Sequence, residues 1–263
     1  MFHCSRFVVL STWFWILAAE GFAQDADPKR LARELEELRT RQTAVEQKLD
    51  EVLRTVQSLE ASRLPPRVSP APVSAPSVID ITGAPFQGSI TAPLTLIEFS
   101  DYECGFCRRH VSQTLPLIEQ NYIRTGKVKY VFKNFPVDQH KLAFNAHQAA
   151  ACAGDQGKYW EMHDRLFANP TALLALPEQA TALGLAMPIF RQCLDTGKHA
   201  ARIRSDVAEG RATGLKGTPM SYIGFSGADS KVHPIQVITG AKQYSVFAQA
   251  LDALLAQVGK NRR

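Results

Sequence analysis

The sequence has no run of roughly 20 apolar residues, the length a membrane-spanning helix needs; its longest, Phe7 to Ala19, is about a dozen. It also lacks a basic stripe. Thirty Lys and Arg against 25 Asp and Glu give a formal net charge of +5 and a pI of about 9.0, but the positive residues are scattered along the chain. Scattered charge reads as a solvated surface and speaks against a nucleic-acid partner. Cysteine is scarce, with five in 263 residues. Only Cys104-Gly105-Phe106-Cys107 has metal-ligand spacing, so a zinc site of four ligands would lack its second pair. What remains is an ordinary globular composition, 45% hydrophobic and 21% charged, long enough for one core plus appendages.

The N-terminus bears on the compartment. Met1 to Arg6 is short and ends in a positive charge, Phe7 to Ala19 is apolar, and Gly21-Phe22-Ala23 offers small residues for a peptidase. This predicts a secretory signal peptide over 1–23, cleaved after Ala23, with an uncleaved anchor as the alternative. Cys4 precedes the apolar run and leaves with the signal. Four cysteines then remain, Cys104, Cys107, Cys152 and Cys193, and an even number in an exported chain suggests two disulfides.

Over residues 27–62, Leu31, Leu35, Leu38, Gln42, Val45, Leu49, Val52, Val56 and Leu59 are spaced alternately four and three apart. The positions between them are mostly Arg, Glu, Lys and Gln, and Asp27-Pro28 suits a helix start. A seam this narrow asks for partner helices, so the segment predicts a homo-oligomeric coiled coil, dimer or trimer. The alternative is a lone amphipathic helix docked on its own domain. Residues 63–77 hold Pro65, Pro66, Pro70, Pro72 and Pro76 among Ser, Ala and Val, an extended semi-rigid spacer.

The globular part runs from Val78 to the end. Leu94 to Ser100 reads as a buried strand, Gly105 to about Tyr122 as a helix bent at Pro116, and Val128 to Phe135 as a second strand. A helical block fills about 138–210, with breaks at Pro170, Pro177 and Pro188. Met220 to Phe225 and Pro234 to Thr239 read as strands, and Tyr244 to Val258 as a closing helix. Strand–helix–strand, helical block, strand–strand–helix is an α/β pattern with an inserted helical domain.

The C-x-x-C pair follows a strand and opens a helix. Cys104 therefore sits at a helix N-terminus, where free N–H groups and the macrodipole favour a thiolate. Cys107 lies one turn inside, placed to resolve a mixed disulfide formed at Cys104. Glu98, on the strand before, becomes a buried carboxylate with a raised pKa if it faces inward, able to take the Cys107 proton. Gly217-Thr218-Pro219 precedes an apolar strand. A cis bond before Pro219 would present the Thr218 backbone beside Cys104 to an extended substrate chain; an ordinary trans proline is the alternative. Arg108, Arg109 and His110 read as a solvated helix face, and His140, His147 and His163 as surface or core histidines, with no metal assigned. Cys152 and Cys193 pair as a structural disulfide closing a loop of about 40 residues, contributing roughly 3–4 kcal/mol; a second redox centre is the alternative.

Asp101-Tyr102-Glu103-Cys104-Gly105-Phe106-Cys107, Ala151-Cys152-Ala153, Gln156-Gly157-Lys158-Tyr159-Trp160, His163-Asp164 and Gly217-Thr218-Pro219 occur in the order seen in the DsbA family, and residues 78–258 resemble its thioredoxin fold. The resemblance implies a periplasmic dithiol–disulfide exchanger that acts on exported proteins with cysteines, is served by a membrane redox partner and needs no cofactor. It also places Glu98 where the family often carries a buried acid. Two departures matter. Gly-Phe lacks the histidine that strongly oxidising members carry between the cysteines, and resembles the Gly-Tyr of the isomerase DsbC. The stalk resembles the oligomerisation helices of ScsC-type proteins. Together they favour a disulfide isomerase with some oxidase capacity. The alternatives are a monofunctional DsbA-type oxidase and, in a different class, a thioredoxin-fold chaperone or copper-binding protein.

Overall fold

The computed structural model describes residues 28–63, 76, 78–227 and 229–261. The expected signal peptide over 1–23 and nearly all of the spacer over 63–77 lie outside the described residues. The chain divides into two units, Met1–Ser69 and Pro70–Arg263. In the first, α1 (Pro28–Arg63) is one helix of 36 residues. Its seam residues Leu35, Leu38, Val45, Leu49 and Val52 are between 50% and 65% exposed. No described helix is long and apolar enough to cross a membrane.

The second unit has a thioredoxin fold with a helical insertion, in agreement with the sequence. Among its described residues, β1 (Ile79–Asp80), β2 (Phe86–Gln87), β3 (Leu94–Ser100), β4 (Val128–Asn134), β5 (Met220–Phe225) and β6 (Lys231–Thr239) form one sheet. The order is β1-β6-β5-β3-β4-β2. β3 and β4 are parallel, and the other pairings are antiparallel. Every residue of β3 is buried because both faces of the sheet are covered. Strand alternation then sorts its side chains. Leu94 and Leu96 join Tyr130, Phe132 and Phe247 on one face, while Ile97 and Phe99 join Val131, Phe135 and Tyr222 on the other. Each such fully buried large apolar side chain contributes about 1.5–3 kcal/mol. Glu98 shares the parity of Leu94 and Leu96, so it enters the face that also holds Cys107.

The helix that Cys104 opens is continuous but not uniform. It runs through α2 (Gly105–Arg109), a π-helical turn at His110–Thr114, α3 (Leu115–Ile118) and a second π-helical turn at Glu119–Ile123. Pro116 has no N–H for the regular ladder. The helix widens on either side of it, with Leu115 N–H donating to His110 O and Arg124 N–H to Glu119 O.

The insertion comprises α4 (Ala143–Gly154), α5 (Tyr159–Ala168), a 3-10 turn at Pro170–Leu174, α6 (Leu176–Ala182), α7 (Met187–Asp195) and α8 (Ala200–Ala212), and α9 (Tyr244–Asn261) closes the unit. Pro177 and Pro188 sit in the first turns of α6 and α7, where the missing N–H costs nothing. β6 begins three residues earlier than its sequence suggests. Pro234 is tolerated there because it faces Gly224 at a register shift between Ile223 and Gly224. Gly210 lets α8 close on the sheet: a Cβ there would stand 2.7 Å from the Phe135 ring. Beside it the buried Lys133 ammonium meets Asp206 Oδ1 at 2.6 Å and Glu209 Oε2 at 2.8 Å, tying β4 to α8.

Candidate active site

Cys104 is the N-cap of α2, with φ −74° and ψ 119°, and its Sγ accepts a hydrogen bond from the Cys107 N–H at 3.4 Å. The same sulfur lies 3.5 Å from the Thr218 carbonyl oxygen. The Thr218–Pro219 peptide bond is cis, and the loop before β5 stands against Cys104. Cys104 is 7% exposed and Cys107 fully buried. Gly105 and Phe106 project between them, and the Arg109 guanidinium lies 5.1 Å from the centre of the Phe106 ring.

The two thiols are displaced in opposite directions. A hydrogen bond from the Cys107 thiol brings Cys104 down to about 5, against burial and with help from the Thr218 hydroxyl and the first N–H groups of α2. Burial pushes Cys107 well up, and Cys104 and the Glu98 charge add to the rise. The opposite shifts favour a thiolate at Cys104 and a protonated thiol at Cys107.

Glu98 is inward-facing and 0% exposed. Tyr130 donates its hydroxyl to Oε2 at 2.7 Å, and His110 Nε2 lies 3.3 Å from the same oxygen, without hydrogen-bond alignment. Burial pushes this carboxyl up, but the His110 imidazole and the Tyr130 hydroxyl outweigh it and hold it below the usual range. The raised value expected from burial is therefore corrected. So is the reading of His110 as part of a solvated face: it is 1% exposed and packs on Phe247, with ring centres 5.1 Å apart. Its place three residues after Cys107 puts it one turn further along the inner face, a spacing that could have revealed it. Arg109 is exposed and donates to the Ala241 carbonyl at 3.3 Å.

His140 is half-buried at the rim of the site, with Nδ1 2.9 Å from Asp101 Oδ2. Asp101 is buried and also accepts from the Glu103 and Val137 N–H groups, each at 2.8 Å. Nothing in the spacing of Asp101 and His140 pointed to this pair. His147 and His163 lie in the aromatic core of the insertion around Tyr102 and Phe132, and burial drives His147 down to about 3. Cys152 and Cys193 form a disulfide between α4 and α7, with Cα atoms 5.8 Å apart. His199 completes a cluster with them, but its two sulfurs are bonded to each other and offer no thiolate to a metal.

A family model described as Thioredoxin matches residues 81–236, more than half of the chain. The chain belongs to the thioredoxin family. Within it, the fold is DsbA-like: alpha-DsbA1 of Wolbachia pipientis superposes with a TM-score of 0.60 at 24% identity, over 69% of this chain and 95% of that one. Disulfide bond formation protein D of Bacillus subtilis is 27% identical over 155 residues, 54% of this chain and 68% of its own. The Na(+)/H(+) antiporter NhaA 1 of Salinispora arenicola is 34% identical over 143 residues, 52% of this chain. This thioredoxin-family chain spans about a fifth of the length of such antiporter relatives, the match covering 21% of that protein.

Proposed function

We propose that the protein is a thiol–disulfide exchange protein of the periplasm that acts on exported proteins with cysteines, and that it works as an isomerase when assembled through α1. The opposite displacement of the two thiols one helical turn apart carries the reading. The Cys104 thiolate attacks one sulfur of a substrate disulfide. A Cys104–substrate disulfide forms, and the other substrate sulfur leaves as a thiolate. In isomerisation that thiolate attacks elsewhere in the substrate, and a substrate thiolate finally displaces Cys104, with no net transfer of electrons. In reduction Cys107 loses its proton and attacks the Cys104 sulfur; the Cys104–Cys107 disulfide closes and the substrate leaves with two electrons. The reverse sequence oxidises a substrate dithiol.

Glu98 serves as the proton acceptor for Cys107. Its Oε1 has no hydrogen-bond partner, and its charge is felt at Cys107. Thr218 and Pro219 hold the substrate backbone beside Cys104, and a membrane redox partner resets the pair. The exposed apolar seam of α1 supports assembly, because five large apolar side chains along one stripe gain stability only against other helices. Several catalytic domains on one stalk raise the local concentration of Cys104 around a misfolded substrate.

A second reading is a DsbA-type oxidase. The low Cys104 value favours it, since a stabilised thiolate makes the disulfide the more oxidising form; so does the likeness to the Bacillus subtilis disulfide bond formation protein. No transport activity is carried over from the antiporter relatives, whose match covers only 21% of their length. Reactivation of scrambled, oxidised ribonuclease by the full protein and by a form starting at Val78 decides between the readings. Isomerisation by the full form alone supports the stalked isomerase. Oxidation of reduced ribonuclease by both forms, without isomerisation, leaves the oxidase. No exchange by either rejects both.

A further inference from the structure

The cavity at Cys104 does not end there. It holds about 510 Å³ and is lined by Cys104, Phe106, Lys216 and Thr218 together with Val137 and His140. Val137 and His140 also line a neighbouring groove of about 730 Å³ that runs between the loop after β4 and α8. Sharing these two side chains, the cavities adjoin between the Cys104 sulfur and the insertion.

The floor of the second groove is apolar, built from Val137, Phe144 and Val207, all half-buried. The Arg204 guanidinium lies over the Phe144 ring, 5.5 Å from its centre, so the charge covers that ring and borders the apolar floor left at Val137 and Val207. The rim is cationic. Asp138, the acid of the groove, is already held by Arg211 through contacts of 2.8 and 2.9 Å. Among the described residues Lys141 and Arg204 have no carboxylate within ion-pair distance, and Lys141 donates only to the Asp138 backbone carbonyl at 2.9 Å. At the Cys104 end Arg109 and Lys216 are likewise exposed without a carboxylate partner. Four exposed cations without a carboxylate partner line these two cavities, Arg109 and Arg204 each over an aromatic ring, while the Asp101 carboxylate is buried beneath Val137 and His140; positive charge therefore prevails at the exposed rim. An apolar floor with unpaired positive charge on its rim is complementary to an extended chain that carries both apolar and acidic side chains.

We propose that this groove is the subsite for the substrate segment flanking the reacting cysteine. It takes an extended polypeptide with an apolar side chain against Val137 and Val207 and acidic side chains opposite Lys141 and Arg204. The proposal rests on the thiol–disulfide exchange reading and names its substrate class. The groove biases encounter and residence of the segment, and the Cys104 thiolate then attacks the substrate sulfur and expels the other half of the substrate disulfide as a thiolate.

The test uses the full-length reduced protein and two synthetic peptides. Each has one cysteine held as a mixed disulfide with 2-mercaptoethanol and one phenylalanine; one has flanking aspartates and the other flanking lysines. Release of 2-mercaptoethanol gives the second-order rate constant. The aspartate peptide is expected to react about tenfold faster at low ionic strength, with the preference shrinking as salt is added. Lys141→Glu with Arg204→Glu should abolish or invert it. Both side chains are exposed, and a thermal unfolding curve verifies that the variant is folded; Arg204→Gln, expected to halve the preference or more, serves if it is not. Equal rates for the two peptides in the wild type, or an unchanged preference in a folded variant, overturn the proposal. Bis(2-hydroxyethyl) disulfide, small and uncharged, separates the layers: if the wild type does not react even with this reagent, the exchange reading itself falls and the subsite falls with it.

Discussion

Nε2 of His110 stands 3.3 Å from Oε2 of Glu98, and neither side chain is more than 1% exposed. The pair joins the π-helical turn after α2 to β3, directly beneath the face that holds Cys107. Glu98 lies below its ordinary value of 4.5, so its contribution to stability is complete above that pH and is lost as the pH falls through the folded value. His110→Leu leaves the buried Glu98 carboxylate with Tyr130 as its remaining donor and should destabilise the protein near neutrality. The loss should shrink on acidification, as Glu98 takes up a proton, and Glu98→Gln in the same chain should recover part of it. Urea unfolding at neutral and acidic pH checks this, and an equal loss at both would rule the pair out as a charged contact.

Cys104 is lowered from 9.0 to about 5. Alkylation of the reduced protein by iodoacetamide should follow a midpoint about there and mark Cys104 alone, because Cys107 is raised. For a depressed thiol the stabilisation of the reduced form is full above the unfolded value and disappears as the pH drops through the folded one. The reduced protein should therefore gain stability relative to the oxidised one as pH rises from about 5. Thr218→Val removes a hydroxyl that favours the thiolate, and should move the alkylation midpoint upward. A midpoint near 9 in the wild type would contradict the whole arrangement.

The Cys152–Cys193 disulfide ties together residues 41 apart in sequence. Replacing both with Ala should lower the unfolding free energy by about 3–4 kcal/mol in the chain-entropy model, without moving the Cys104 alkylation midpoint. A shifted midpoint would mean that this disulfide belongs to the redox chemistry after all.

Leu38 and Val45 are 60% and 65% exposed on α1. Leu38→Glu with Val45→Glu places charge in the seam and should convert an assembly to monomers in sedimentation velocity. Identical masses for wild type and variant would remove the basis for a stalked oligomer.

The limits of β3 and β5 were legible residue for residue, as was the helix opening at Gly105, because each is announced by a short apolar run or by residues next to one another. β1 and β2 were not, since two residues are too few for any periodicity to show. His110 was read as solvated because its neighbours Arg108 and Arg109 are charged. The widened turn that begins at His110 and the covering Phe247 decide its burial, and neither is local.

The sequence by itself determined the order of elements and the placing of Cys104 at a helix start, because these depend on neighbours within one strand or one helical turn; it left open whether Glu98 faces inward. Only the tertiary structure decided that Glu98 faces inward and lies low through His110 and Tyr130, that Asp101 holds His140, and that Arg109 and Lys216 line one cavity and Lys141 and Arg204 its neighbour. Those groups lie far apart along the chain, and sheet register and the docking of α8 on β4 bring them together. Charge and burial act through distance in space, which spacing along a chain does not record.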